Sequence, residues 1–448
     1  MTTTKTKVDM LNGPLLKKIL IFALPLAASS LLQQLFNSVD VAVVGRFASS
    51  KALAAVGSNA PVISLLINLF VGISMGANVV ISNHLGQNDD ESIRRSVSTV
   101  SLVALISGAI LMMLGWGISR PIHEMMDTPA DVIDMAVLYL RIYFIGIPFF
   151  LIFNFGSAIL RSMGDTRRPL YILVVAGVVN TLLNLFFVIC LGMGVEGVAI
   201  STGIANALSA GLIIWILRRE RGPIQLQFNS VKIYRKELKK MLQIGVPAGI
   251  QGMVFSLSNV VVQSAINGYG SAAIAGSAAA VNFEYYCYYI IAAFNGAAIS
   301  FVGQNYGARQ YDRVKRIYKQ CLLLGTVGCM LANVFFVWQG EFFLSFFSID
   351  PEVMRYGMMR MEGVLLFQFV ACSYEITGSV LRGMGESMLP TVMTIIGTCL
   401  LRMIWVFGVM PHYHGFSRLM QVYPLSWMLT GLMVCVTYKV SMKTLCPR

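Results

Sequence analysis

Apolar residues run in long blocks along this chain, and polar residues gather in short breaks between them. Leu102–Gly117, Phe144–Leu160, Leu170–Leu191 and Leu322–Val337 contain no charged residue at all. A hydrocarbon core of roughly 30 Å needs about 20 apolar residues in a helix. Extended across the chain, the pattern predicts helices at about 16–44, 53–83, 93–117, 133–160, 168–190, 195–217, 239–266, 272–305, 314–338, 354–381, 389–409 and 418–440. The expected fold class is an all-α membrane protein with twelve transmembrane helices.

Composition agrees. Of 448 residues, 56% are hydrophobic and 12% charged, against about 25% charged in a soluble domain; the mean hydropathy is +0.71. The net charge of +13 matters through its placement. With both termini cytoplasmic, 26 of the 34 Lys and Arg fall in inner segments, and four (Arg46, Lys51, Arg120, Arg418) fall outside. Cytoplasmic loops of membrane proteins hold such an excess of Lys and Arg. The orientation follows, as does a multi-pass location in the plasma membrane. The basic charge is topological, so nucleic acid is not an expected partner. Met1–Asn12 is polar and shows no cleavable signal pattern. Seven of the eight cysteines lie in or at the ends of spans, without a CxxC, and read as small buried hydrophobes.

The chain also repeats itself. Leu16-Lys-Lys18 recurs as Leu238-Lys-Lys240, and each is followed by a proline, Pro25 and Pro247. Ser82-Asn-His-Leu-Gly-Gln87 has a counterpart in Gly303-Gln-Asn-Tyr-Gly-Ala308, and Leu160-Arg-Ser-Met-Gly-Asp165 in Leu381-Arg-Gly-Met-Gly-Glu386. The offset is 222 residues for the first pair and 221 for the others. Six spans per half give both halves one orientation, so two six-helix bundles related by a pseudo-two-fold axis along the membrane normal are expected. The divisions are residues 1–217, a cytoplasmic linker 218–238 expected to be partly a surface helix, and 239–448. A soluble domain to house an ATPase is missing, as is G-x-x-x-x-G-K-[ST]. No cofactor is expected, and energy would come from an ion gradient or from none at all.

These residues resemble a known family. Pro25-Leu-Ala-Ala-Ser-Ser-Leu-Leu-Gln-Gln-Leu-Phe-Asn37-Ser-Val-Asp40, then Gly45 and Ala52-Leu-Ala-Ala-Val-Gly57, are similar to the multidrug and toxic compound extrusion (MATE) family. Leu160–Asp165 and Gly303-Gln-Asn-Tyr-Gly307 extend the resemblance over essentially the whole chain. It implies a V-shaped pair of bundles, working as a monomer, that exports small organic cations in exchange for protons or sodium ions by alternating access. It also implies an essential acid at the position of Asp40. Two rivals were weighed against it. A lipid-linked oligosaccharide flippase of the same superfamily would be expected to show several cavity cations, whereas only Arg402 is deep, with Arg141, Arg355 and Arg360 nearer the helix ends. A membrane enzyme would need paired acids, H-E-x-x-H or a nucleophile–base motif, none of which occurs in the spans.

Ionisable groups at membrane depth are functional candidates. Asp40 lies 15 residues past Pro25, about 22 Å along the helix. Asn180 and Asn184 lie at similar depth on one face of the fifth helix, and Tyr139 and Thr202 enter at the same level. Together these five form the expected cation-coupling and substrate site. Asp40 would exchange a proton or, with amide and hydroxyl oxygens, hold sodium; proton coupling is favoured because Asn184 supplies no second acid. In the second half, Glu284 and Arg402 are expected to pair at mid-membrane, with Asn282 nearby and Tyr285, Tyr286 and Tyr289 offering ring faces to a cation. Glu375 is expected to pair or gate at the cytoplasmic mouth. Pro25 removes one N–H from the first helix and could couple Asp40 to a bend. His412 and His414 form an H-x-H without a third ligand, so no metal site is expected.

Overall fold

A computed structural model of the chain describes residues 7–126, 128–227 and 231–445. Among the described residues there is no β-strand, and twelve helices are long and apolar enough to cross a membrane. In chain order they are α1 Leu15–Phe47, α2 Ser50–Gln87, α3 Asp90–Met125, α4 Ile133–Ser162, α5 Arg167–Cys190 and α6 Val195–Arg219. Then follow α7 Arg235–Asn267, α8 Ser271–Gly307, α9 Tyr311–Trp338, α10 Pro351–Gly383, α11 Met388–Val409 and α12 Phe416–Leu445. A short helix, Gly340–Ser345, lies between α9 and α10.

Helix ends are set by side-chain caps where water-facing turns occur. Ser49 accepts from Ala52 N and Asp89 from Ser92 N, each satisfying an N–H that the first turn leaves without a helical partner. Asp350 accepts from Glu352 N and is followed by Pro351 at the first helical position, where a missing N–H costs nothing. This cap starts α10 three residues before the expected 354, with consequences for Arg360 below. At the far end of α3 the helix runs on past Gly117 to Met125 and carries Pro121 within it. Along it Arg120 pairs with Glu124 and Asp134 at the surface.

The Leu160–Asp165 motif and its repeat prove to be turns with a physical reason for their residues. Gly164 and Gly385 both take positive φ, +91° and +93°, a region open to glycine. Asp165 Oδ1 then accepts from Arg167 N and Arg168 N (both 3.1 Å), and Glu386 Oε1 from Leu389 N (3.1 Å). Each acid thereby satisfies the free N–H groups that open the next helix.

The chain packs as two compact units. One comprises the residues through Asp9 together with Ala28–Gly249, and the other Met10–Ala27 together with the chain from Ile250 onward. The packing thus divides differently from the repeat: α1 up to Ala27 belongs to the second unit, and α7 up to Gly249 to the first.

Within the first unit, α2 and α7 meet through glycines. A Cβ on Gly72 would stand 2.3 Å from Gly249 N, and one on Gly76 2.3 Å from Met241 O. Small residues one turn apart let helix backbones touch in this way. In the second unit Phe22 of α1 is fully buried edge-on against Phe301 of α8, with centroids 5.5 Å apart.

The linker departs from expectation. Its described residues 220–227 and 231–234 form no helix. Instead Leu226 N donates to Leu217 O (3.1 Å), Ile224 and Leu226 are buried, and Tyr234 N donates to Thr99 Oγ1 (3.0 Å). Pro223 and the positive φ of Gly222 (+95°) interrupt any helical ladder there. Residues 228–230, part of that expectation, lie outside the described residues, as do Lys5 and Arg448.

Candidate functional site

In the first unit, α1 brings Asp40 to α5. Asn180 Nδ2 donates to Asp40 Oδ1 (2.9 Å), and Asn184 Nδ2 donates to the same oxygen. Both asparagines are buried, Asn184 completely. Their spacing of four residues puts both amides on one face of α5, as the sequence indicated. The approach depends on Gly177, one turn before Asn180: a Cβ there would lie 1.8 Å from Cε2 of Phe36, itself one turn before Asp40. Among the described residues no Lys, Arg or His forms an ion pair with Asp40.

Tyr139 is buried in an apolar cluster with Val43, Val44, Ala136 and Val198, against which Val39 and Leu185 also pack. Its ring stacks on Tyr143 with centroids 6.0 Å apart. Sequence reasoning missed Tyr143, although it stands four residues from Tyr139 on the same helix face. Thr202 is less involved: its hydroxyl donates to Val198 O of its own helix (2.9 Å).

Asp40 Oδ2 and the amide oxygens of Asn180 and Asn184 are the oxygens this site can offer. The two amide oxygens are buried and have no hydrogen-bond partner among the described residues. One carboxylate with two amide carbonyls can bind a proton, or a hard cation that takes oxygen ligands. Among the described residues no three His, Cys, Asp or Glu gather to hold a metal.

The second unit corrects an expectation. Glu284 of α8 is paired with Arg360, not Arg402: Arg360 Nε and Nη2 donate to its two carboxylate oxygens at 2.6 and 3.0 Å. The sequence puts Arg360 nearer a helix end. With α10 starting at Pro351, Arg360 stands more than two turns inside the helix, and it is 4% exposed. Gln368 Nε2 donates to the backbone oxygen of Glu284 (3.0 Å) from the 3₁₀ stretch Leu365–Ala371 within α10.

Arg402 instead gives Nη1 to Asn259 Oδ1 (2.7 Å) and lies over the rings of Phe255 and Tyr423, 5.0 and 4.5 Å from their centroids. Asn282 turns back on its own helix, donating to Ala278 O (2.9 Å). Tyr285 and Tyr289 stack on each other, and Tyr286 on Phe336. Glu375 accepts from Asn295 Nδ2 (3.0 Å), while Arg382 donates to Gln251 Oε1 (2.5 Å). Pro25 sits inside an uninterrupted α1, two residues before the packing of that helix passes from one unit to the other.

A charged cluster lies in the first unit where α4 and α6 end and α5 begins. Arg168 joins Asp165 to Glu220, and Lys7 Nζ meets Glu220 at 2.7 Å. Burial works to raise the Glu220 carboxyl, but these two cations outweigh it and hold it below the usual range. The stabilisation is therefore present at neutral pH and lost only as pH falls through the lowered value.

The MatE family model matches residues 25–186 and 247–407, one stretch in each half of the repeat. The chain belongs to the MATE family. It is a transporter and not an enzyme. The "Probable multidrug resistance protein YoeA" of Bacillus subtilis is 30% identical over 413 residues, covering 88% of this chain and 86% of that protein. The "Probable multidrug resistance protein NorM" of Thermotoga maritima is 26% identical over 405 residues, with 89% and 86% covered. A crystal structure of a MATE protein in complex with MaL6 has the same fold, with a TM-score of 0.91 at 22% identity over 99% of both chains.

Proposed function

We propose that this MATE protein is a secondary active multidrug exporter that expels small organic compounds, mostly cations, in exchange for protons bound at Asp40. The observation that carries the proposal is the Asp40–Asn180–Asn184 cluster, a carboxylate on a membrane-spanning helix held by two buried amides and no cation. The names of the relatives support multidrug export. A carboxylate without a fixed counter-ion can be neutralised in turn by a proton and by a cationic substrate, which is the competition that antiport needs. Protons are favoured over sodium because the cluster holds a single acid.

In this cycle substrate is bound with Asp40 ionised, alternating access exposes it to the other side, and protonation of Asp40 releases it. The returning protein carries the proton inward. A bend of α1 at Pro25, where one helical hydrogen bond is missing, would couple the charge of Asp40 to the packing of that helix. Both termini are cytoplasmic, as the distribution of Lys and Arg supports, and the protein works as a monomer.

The test is ethidium efflux from proteoliposomes under an imposed proton gradient or sodium gradient. Wild type should export under the proton gradient, and Asp40→Asn should retain less than about a tenth of the rate, the loss of one charged hydrogen-bonded group being worth roughly 1.5–3 kcal/mol. Export driven by sodium alone would overturn proton coupling. Equal rates for the two proteins would move the coupling site away from Asp40.

A further inference from the structure

We propose that Arg402 is an anion-recognition group that receives the carboxylate of aromatic, acidic or zwitterionic substrates; the proposal rests on the export reading and adds a substrate class to it. Arg402 is 1% exposed, and among the described residues it has no acidic partner. One hydrogen bond, from Nη1 to Asn259 Oδ1, is made; Nε and Nη2 are buried and have no hydrogen-bond partner among the described residues. A buried donor left without an acceptor is costly, more so when charged, so a structural role alone leaves this arrangement unexplained.

The geometry of the two nitrogens is specific. Nε–H and Nη2–H share one edge of the planar guanidinium, the edge that grips a carboxylate through two parallel hydrogen bonds. Arg360, in the same unit, uses these same two nitrogens on Glu284 at 2.6 and 3.0 Å. Glu284 is thereby committed, and of the three charges one positive charge stays unmatched. An oxyanion at the free edge of Arg402 would complete the set.

The neighbours point to the rest of the ligand. Phe255 and Tyr423 flank the guanidinium, so a carboxylate entering along its edge meets aromatic walls suited to a ring beside the acid. Arg402 also stands between two π-helical stretches of α11, Ile395–Leu400 and Trp405–Val409. Such turns are rare and frequent at functional sites. Admission of the anion would require the Tyr423 ring and α11 to part at these turns.

The test is equilibrium binding of radiolabelled 2-naphthoate and its neutral counterpart 2-naphthamide to the full-length protein in a neutral detergent. No ion gradient is involved, so the result is independent of whether Asp40 couples to protons. Wild type should bind naphthoate at least about tenfold more tightly than naphthamide, the effect of one charged hydrogen-bonded pair. Arg402→Met should erase that preference without lowering the thermal midpoint, since an apolar side chain replaces an unpaired buried charge. Arg402→Lys, which keeps the charge but not the fork, should retain part of it and covers the case in which Arg402→Met does not fold. If added phosphatidylglycerol displaces naphthoate from wild type, the same edge also accepts lipid phosphate. Equal binding of the two ligands by wild type, or an unchanged preference in Arg402→Met or Arg402→Lys, would overturn the proposal.

Discussion

At the scale of single residues, what distinguishes Asp40 from the other deep acids is its company. Glu284 has Arg360, and Glu375 has Asn295 with Arg382 on the same helix. Asp40 has two amides that donate to one of its oxygens. Each donation to a carboxylate is worth roughly 1.5–3 kcal/mol. Asn184→Leu should therefore slow proton-driven ethidium efflux by about tenfold or more, while the amount of folded protein stays near that of wild type because the new side chain is apolar. Efflux at the wild-type rate would show that Asn184 does not support the coupling acid. This cluster was legible in the sequence because counting from Pro25 places Asp40 at the level of two asparagines one turn apart on the fifth helix. Thr202 shared the depth, but its hydroxyl is used within its own helix; depth fixes level and not facing. Arg360 was misplaced because the Asp350 cap, which lengthens α10 by nearly a turn, has no strong hydrophobic boundary to announce it.

At the scale of helices, close approach is bought by glycine, and the neighbouring atoms decide what a side chain would cost. At Gly177 the obstacle is the ring of Phe36, at 1.8 Å. At Gly72 it is the backbone of Gly249, at 2.3 Å, which no rotamer change can relieve. Gly177→Val should slow efflux by separating α5 from α1, and Phe36→Ala added to it should restore a large part of the rate. Gly72→Val should lower stability by about 1–3 kcal/mol or more, as overpacking does, with no such partner mutation to rescue it. Thermal unfolding and efflux of the three proteins check this; a Gly177→Val protein that Phe36→Ala does not improve would show that the contact does not position the site. Helix existence was readable from long apolar runs. What could not be read was which polar ends stay helical, as at α3 beyond Gly117, where Ser119 and His123 are buried and His123 Nε2 meets Asn59 Oδ1 at 3.0 Å.

At the scale of the whole molecule, the repeat is the most legible feature, and the packing adds something a repeat cannot show. Sequence offset marks where the chain is similar to itself; contacts mark where it coheres, and those divide α1 after Ala27 and α7 after Gly249. The two repeat-related helices, each with its proline a few residues before the division, Pro25 and Pro247, are thereby treated alike. That parallel is the reason to look for a transport cycle in which the state of Asp40 reaches beyond its own cluster.

Antiport through Asp40 is tested most directly by proton release. Purified protein in weakly buffered detergent solution is mixed with ethidium, and the free proton concentration is followed with a pH-sensitive dye. Exchange at Asp40 predicts a saturable release from wild type approaching one proton per protein, and none from Asp40→Asn. Ethidium binding to wild type without proton release, or the same release from Asp40→Asn, would contradict it.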